Sequence, residues 1–250
     1  MRIDFSSPVF RHYYSMKCLP RNTERQNIQS LSIAILPENK VVSDRDVFGN
    51  IISYGYIPEP HDSFDVSVQG VAETGLALYE ELGGETDMFL VRSPLTSPGR
   101  ELTAFYKSLC GGAPKKPYDR ALYFMEKLHQ TVSYTPYATD VNTTAETSMA
   151  KRHGVCQDFA QMLISLLRMD GIPARYVVGM MIGEGATHAW VEAYLKGYWY
   201  GFDPTNNLLA DDYYIKISHG RDSRDCKVSR GVLFGMGKQT QTVSVLVEEQ

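Results

Sequence analysis

The apolar residues of this chain change their spacing about a third of the way along, and that change constrains the fold more than any other feature. Up to about residue 75 they fall in short segments rich in Val, Ile, Tyr and Ser: "RHYYSMKCLP", "QSLSIAILP", "VVSDRDVFGNIISYGYI" and "DSFDVSVQGVAETG", separated by Pro, Asn and Gly. Phe64, Val66 and Val68 alternate with Asp65 and Ser67, the two-residue period of a strand with one buried face. Phe48, Gly49, Asn50 and Ile51 read as a hairpin turn, with Gly49 and Asn50 suited to positive φ. Residues from about 9 to 75 therefore predict a small antiparallel sheet or sandwich.

A connector, "GGETDMFLVRSPLTSPGR", follows, punctuated by Gly83, Gly84, Pro94 and Pro98. Beyond it the period becomes helical. Leu102, Phe105, Tyr106 and Leu109 share one face of a helix that Gly111 can close, and Leu122, Met125, Leu128 and Val132 repeat the pattern. "TTAETSMAKRHG" predicts a third helix, with Thr143 as N-cap, Glu146 as its capping-box partner and Gly154 as the stop. A fourth runs from Cys156 through Phe159, Ala160, Leu163, Leu166 and Leu167 to Gly171. "ARYVVGMMI", "HAWVEAYL" and "GYWYGFD" then read as strands, with a short hairpin at Lys196 and Gly197. "QTQTVSVLVEE" reads as a last strand, with Val243, Val245 and Val247 on one face.

Composition narrows the class. The 250 residues are 43% hydrophobic and 22% charged, an ordinary globular balance that needs neither disulfide nor structural metal to fold. The net charge is -4, with no long basic run, which argues against nucleic acid or an anionic membrane as the main partner. The opening "MRIDFSSPVFRHYYSMKCLP" lacks the apolar run of a signal peptide, and no stretch is apolar enough to span a bilayer. Cys18, Cys110, Cys156 and Cys226 lie far apart with no CxxC pair, which disfavours a zinc site or redox dithiol and fits reduced thiols in a cytoplasmic setting. No calcium-loop pattern is present, and no cofactor is expected. Oligomeric state is not legible.

Three residues could do chemistry together. Cys156 opens a helix, where unpaired N–H groups and the positive end of the helix dipole favour a thiolate. A cysteine nucleophile needs a base, and the base needs an orienting group. His188 opens one predicted strand and Asp203 closes the next, so antiparallel pairing would set the two side by side. Taken singly, Cys156 reads as a small core hydrophobe, a lone histidine as structural and the "FDP" aspartate as a turn residue. Only the combination exceeds those readings. Cys18, Cys110 and Cys226 stay structural, as do His12, His61, His129, His153 and His219, although His153 is a rival because it lies three residues before Cys156. Asp158 suits the first turn of a helix. Trp190 and the Tyr198–Trp199–Tyr200 run are expected to be packing, and "MMIGEGAT" a mobile loop before His188.

"GVCQDFAQMLISLLRMDGIPARYVVG", "THAWVEAYL" and "WYGFDPTNN" resemble the transglutaminase-like superfamily, in particular its bacterial branch, whose members are provisionally described as cysteine proteases. The resemblance covers about residues 117–225. The predicted β region before "PLTSP" resembles that branch's N-terminal domain, and "GRDSRDCKVSRGVLFG" its C-terminal extension. It implies an α+β fold: an N-terminal β domain (1–82), a linker (83–98), a papain-like catalytic core (99–225) in which the Cys156 helix packs on an antiparallel sheet, and a C-terminal strand (226–250) returning to the β domain. It implies Cys156 as nucleophile, His188 as general base and acid, and Asp203 as orienter. The N–H of Cys156 is one oxyanion candidate and Gln157 the other; a further donor is expected upstream, near Tyr134 or Tyr137. The implied activity is hydrolysis of peptide, isopeptide or carboxamide bonds through a thioester, with a peptide or protein as substrate. Acyl transfer and a non-catalytic peptide-binding scaffold are the alternatives.

Overall fold

The computed structural model describes residues 1–81 and 86–249. Gly83 and Gly84, the expected boundary at residue 82 and Gln250 lie outside the described residues.

The β region is built on one long strand. β1 (Arg2–Met16) kinks at Arg11, whose φ is 51°, and its partners change across the kink. The strands that follow it are β2 (Gln26–Leu36), β3 (Val41–Arg45), β4 (Ile51–Ile57) and β5 (His61–Thr74). The first half of β1 pairs with β5, which in turn pairs with β2; the second half pairs with β4, which pairs with β3. A bulged strand that changes partners turns the corner of a curled sheet. Val9, Phe64, Met16 and Ile57 fill its interior, so the predicted alternation at Phe64 and Val66 does face a core. The sheet begins before residue 9, the start that the strand pattern predicts, because Ile3 and Phe5 belong to that core. The hairpin at residues 48–51 is present. Gly49 takes positive φ, but Asn50 does not; its side chain has another role.

The described connector is packed rather than loose. A two-residue strand, β6 (Glu80–Glu81), is followed by a 3-10 turn at Asp87–Phe89. Phe89, Leu95 and Thr96 are buried. Arg168, nearly sequestered itself, binds the Phe89 carbonyl at 2.7 Å and Thr96 Oγ1 at 2.9 Å, so it ties this segment to the core.

The core carries α1 (Arg100–Cys110), α2 (Pro117–Thr131), β7 (Ser133–Tyr134), α3 (Ala145–Lys151), β8 (His153–Gly154) and α4 (Cys156–Met169). Then come β9 (Ala174–Met181), β10 (Gly183–Gly185), β11 (His188–Leu195), β12 (Tyr198–Asp203), β13 (Leu208–Leu209) and β14 (Tyr214–Gly220). The main sheet is antiparallel, in the order β13-β12-β11-β9-β14. Ala189, Val191, Ala193 and Leu195 present one face of β11 to α4, whose Phe159, Ala160, Leu163, Leu166 and Leu167 are all buried. The small alanines let helix and strand approach closely. This is the α+β arrangement implied by the resemblance.

Two helix ends differ from expectation. The N-cap of α3 is Thr144, not Thr143: its hydroxyl accepts from the Thr147 N–H at 3.1 Å. Glu146 does not reach back to its own helix; it accepts from Gly99, Glu101 and Leu102 and so caps α1. α3 stops at Arg152 in the left-handed region, before Gly154.

The chain ends in β15 (Ser229–Phe234), β16 (Gln239–Thr242) and β17 (Val245–Val247). β15 and β16 pair with β1. β17 does not: it pairs with β10 in the segment before His188. The expected single last strand is therefore two, and the "MMIGEGAT" segment is held in a short ladder rather than free. The two domains meet along the outer edge of β14. Gln26 exchanges two hydrogen bonds with the backbone of Lys216, at 2.7 and 2.8 Å, and Asn50 two with that of His219, at 2.7 and 2.9 Å. These side-chain amides act as surrogate strand partners and satisfy an edge that would otherwise be open.

Candidate active site

Cys156 is the first residue of α4, and the start of that helix is tightly built. Asp158 lies in its first turn, fully buried; its Oδ2 accepts from the Val155 N–H at 2.8 Å and from the Thr139 hydroxyl at 2.5 Å. Val155 has no side-chain acceptor, so this is one half of a capping box. The close fit requires a glycine at 154, since a Cβ there would lie 2.6 Å from Asp158 Cβ. The Val155 carbonyl serves the N–H groups of Asp158 and Phe159. The amides of Cys156 and Gln157, one step earlier, have no acceptor within the helix. The Gln157 side chain is turned toward the Asp140 carbonyl, 3.4 Å away.

His188 and Asp203 are joined as the hairpin predicts. β11 and β12 pair from Val191–Phe202 to Leu195–Tyr198 across the Lys196–Gly197 turn. His188 Nε2 lies 2.8 Å from Asp203 Oδ2. With Nε2 committed to the carboxylate, Nδ1 is the nitrogen left for the thiol. Burial opposes charge on the imidazole, but hydrogen bonds to Asp203 and Cys156 and the charges of both outweigh it and push His188 up to about 9. Burial would likewise raise Asp203. Its bond and attraction to His188, with donors from Tyr214 and Asn206, hold it below its ordinary value. Cys156 is half-buried, so the sulfur is reachable.

The carboxylate is saturated with donors. Oδ2 receives Tyr214 OH and Asn206 Nδ2, both at 2.8 Å, besides His188; Oδ1 receives the backbone N–H groups of Thr205 at 2.9 Å and Asn206 at 3.3 Å. Trp190 is 1% exposed and lies under the His188 ring, with centroids 6.4 Å apart. Gly179, opposite His188 on β9, makes room for it: a Cβ there would sit 2.5 Å from the indole and 2.2 Å from the Ile215 carbonyl. Tyr134 borders the site from β7, which runs parallel to β8; burial first, then Cys156 and Tyr137, raise its phenol. Tyr137 is fully exposed with φ of 62°.

The fold thus brings Cys156, His188 and Asp203 to one place, with Gln157 beside them. The other cysteines are elsewhere: burial raises Cys18 to about 11, Cys226 is buried with its thiol also pushed up, and Cys110 is exposed. His153 lies on β8 and pairs its backbone with Ser133. Tyr198 and Tyr200 pack on Tyr79 and Tyr118, and Trp199 on Phe89.

Two family models match: the transglutaminase-like superfamily over residues 106–204, and the bacterial transglutaminase-like N-terminal region over residues 1–73. An uncharacterized protein of Mycobacterium tuberculosis (strain ATCC 25618 / H37Rv) is 31% identical, aligned over 92% of this chain and 84% of its own. The chain belongs to the transglutaminase-like superfamily. A Mycobacterium leprae relative, also uncharacterized, is 26% identical over 93% of this chain and 90% of its own. A solved structure from Cytophaga hutchinsonii, provisionally assigned as a cysteine protease, superposes with a TM-score of 0.80 at 24% identity, covering all of this chain and 89% of that one. It establishes the shared fold, a transglutaminase-like core behind a curled β domain.

Sequence reasoning missed Tyr214. Its place beside Asp203 arises from the β9–β14 pairing, which no local motif announces. Asn206 carried a signal, since an Asn three residues after an Asp commonly closes an Asx-type turn.

Proposed function

We propose that the protein is a thiol hydrolase that cleaves peptide, isopeptide or carboxamide bonds through a thioester, with Cys156 as nucleophile, His188 as general base and acid, and Asp203 as orienter. The observation that carries this reading is the His188–Asp203 bond on a ring whose other nitrogen is left for a thiol at a helix N-terminus. Cys156 gives its proton to His188 Nδ1, and the thiolate attacks the substrate carbonyl carbon. The oxyanion receives the N–H groups of Cys156 and Gln157. Collapse breaks the C–N bond, and the leaving amine takes the proton from Nδ1. Water then attacks the thioester with Nδ1 as base, releasing a carboxylic acid and restoring the thiol. An amine in place of water would give transfer. The substrate is read as a peptide or protein segment, with Tyr134 and Tyr137 at the mouth. The four free cysteines fit a reducing, cytoplasmic setting.

The test is iodoacetamide alkylation followed by peptide mass spectrometry from pH 5 to 10. Cys156 should react at pH 6 faster than the exposed Cys110, and His188→Ala should abolish that advantage. Equal rates in wild type, unchanged by the substitution, would sink the proposal. Turnover of glutamine-containing peptides, with and without added alkylamine, then separates hydrolysis from transfer.

A further inference from the structure

The last side chains that touch the carboxylate are not part of the Cys156–His188–Asp203 set, and one of them is out of place for a structural tyrosine. Tyr214 stands at the start of β14, four strands from β13 across the sheet, and it is 7% exposed. Its hydroxyl points at Asp203 Oδ2 from 2.8 Å, the same oxygen that holds His188 Nε2. Its ring stands edge-on to Trp190 with centroids 5.3 Å apart, and Trp190 in turn underlies His188. Both the acid and the ring that depends on it are therefore braced by one residue. Asn206, in the exposed turn after β12, gives a second side-chain donor to that oxygen.

Oδ2 takes three donors and Oδ1 two, so a proton on either oxygen would displace one of them, which favours the ionised form. Asn206 Nδ2 can only donate here, and the Tyr214 hydroxyl, which could also accept, donates to Oδ2. Burial and Asp203 both push the Tyr214 phenol well up, so it remains a donor across the working range. The groups that act on Asp203 are His188 on β11, Tyr214 on β14 and Asn206 in the turn, while Cys156 on α4 acts on His188 and Asp211 on Tyr214. His129 on α2 meets the adjoining Pro204 carbonyl at 3.3 Å. None of these apart from His188 is a cation facing the carboxylate, so the neutral donors carry the rest of its stabilisation.

We propose that Tyr214 and Asn206 are positioning residues, which fix Asp203 Oδ2 as an ionised acceptor and thereby hold His188 as an imidazolium beside the Cys156 thiolate. This rests on the proposed Cys156–His188 pair. Removing a donor frees Oδ2 to swing off the line to His188 Nε2, so the charged ring loses its fixed partner. The pair then relaxes toward neutral thiol and neutral imidazole, and fewer thiolates exist at low pH. At high pH the thiol ionises regardless of its partner, so the loss disappears.

The experiment compares Cys156 alkylation by iodoacetamide at pH 6 and pH 9.5 in the full chain, for wild type, Tyr214→Phe and Asn206→Ala. Tyr214→Phe keeps the ring against Trp190 and removes only the hydroxyl. Its rate should fall at least fivefold at pH 6 and match wild type at pH 9.5, with Asn206→Ala showing the same pattern at smaller size. In an Asp203→Asn background, adding Tyr214→Phe should change nothing further. A ratio to wild type that is the same at both pH values, whether near one or uniformly low, overturns the proposal, since a packing role has no reason to depend on pH. If Tyr214→Phe does not fold, Asn206→Ala decides in the same way at its exposed turn. Failure of the underlying reading looks different: wild-type Cys156 would then show no advantage over Cys110 at pH 6.

Discussion

One face of β11 carries two charged assemblies only four residues apart. His188 belongs to the candidate site, Trp190 fills the gap, and Glu192 belongs to a sealed ionic cluster at the junction with the β domain. In the cluster Glu192 Oε2 meets Arg175 Nε at 2.5 Å and Lys216 Nζ at 2.7 Å; Glu80 Oε2 meets the same two cations at 2.6 and 2.9 Å. Two cations balance two carboxylates, and all four side chains are nearly inaccessible. His219 alongside is kept neutral, by burial first and then by Arg175 and Lys216. Each charge in that arrangement is matched by opposite charges within hydrogen-bond distance. At the other end of the strand there is one carboxylate and one base whose second nitrogen faces a half-open thiol. The difference teaches that a functional site is marked by a vacancy in its proton inventory and not by charge as such.

The largest expected effect separates the two ends by readout. Asp203→Asn keeps the shape but loses the charge that holds the imidazolium, and should lower turnover on the order of 10²- to 10⁴-fold. Urea unfolding of the same variant should lose up to about 3 kcal/mol, the share tied to His188, so turnover is read per folded molecule. An activity loss below threefold would erase the distinction drawn here.

The converse substitution comes next. Lys216→Met leaves two buried carboxylates to share Arg175, and breaking a buried ionic group in this way costs roughly 3–5 kcal/mol. The urea midpoint should fall accordingly, while the Cys156 alkylation rate per folded molecule should stay within twofold of wild type. A stability unchanged by Lys216→Met would mean that the cluster is not what joins the domains.

Histidines in the two domains give the comparison a pH axis. His12, buried in the β domain, has its Nδ1 3.2 Å from His61 Nε2, and burial followed by the charge of His61 lowers it to about 4. His188 is raised to about 9. Unfolded, both would titrate near 6.5. The stability tied to His188 is complete below pH 6.5 and is lost as pH rises through 9. The stability tied to His12 is complete above pH 6.5 and is lost as pH falls toward 4. Each is worth up to about 3 kcal/mol. Urea midpoints should therefore decline on both sides of neutrality. His188→Gln should flatten the alkaline decline, and His12→Gln the acid one. If either variant keeps its limb, the corresponding histidine is not its source.

How much of this was legible in the sequence depended on the range of the interaction. His188 and Asp203 are linked by an eight-residue and a six-residue strand with a tight turn between them, and the period-2 pattern carries that geometry. Cys156 was legible because a helix start is a local event. The β hairpin at residues 48–51 was legible for the same reason. Tyr214, Glu80 and Arg175 were not, since what brings them in is pairing across |i−j| of 95 or contacts with another strand's edge. Asn50 read as a turn residue, and Gln26 fell between the segments read as strands. Their amides reach strand β14 some 170 to 190 positions away, and nothing nearby in the chain marks them. β17 read as a continuation of β16 because the alternation of valines persists through Val243; the break and the new partner are tertiary facts.

The smallest expected effect concerns two helix N-termini in the core, which face the same electrostatic problem and solve it differently. At α1 the carboxylate of Glu146 takes the N–H groups of Gly99, Glu101 and Leu102 at 2.7 to 3.0 Å. Burial would raise Glu146, and those three donors outweigh it and lower it. At α4 the Asp158 carboxylate takes the Val155 N–H, and among the described residues no acceptor meets the amides of Cys156 and Gln157. One terminus is closed by a side chain; the other is left open where an oxyanion or thiolate would sit. Glu146→Ala should therefore cost a capping contribution, about 1–2 kcal/mol by urea unfolding, with no change in the pH profile of Cys156 alkylation. Glu146→Gln, which keeps an acceptor oxygen but no charge, should recover part of the loss. Were Glu146→Ala instead to alter that profile, the two termini would be coupled through α3, and the open end of α4 would owe its geometry to the closed end of α1.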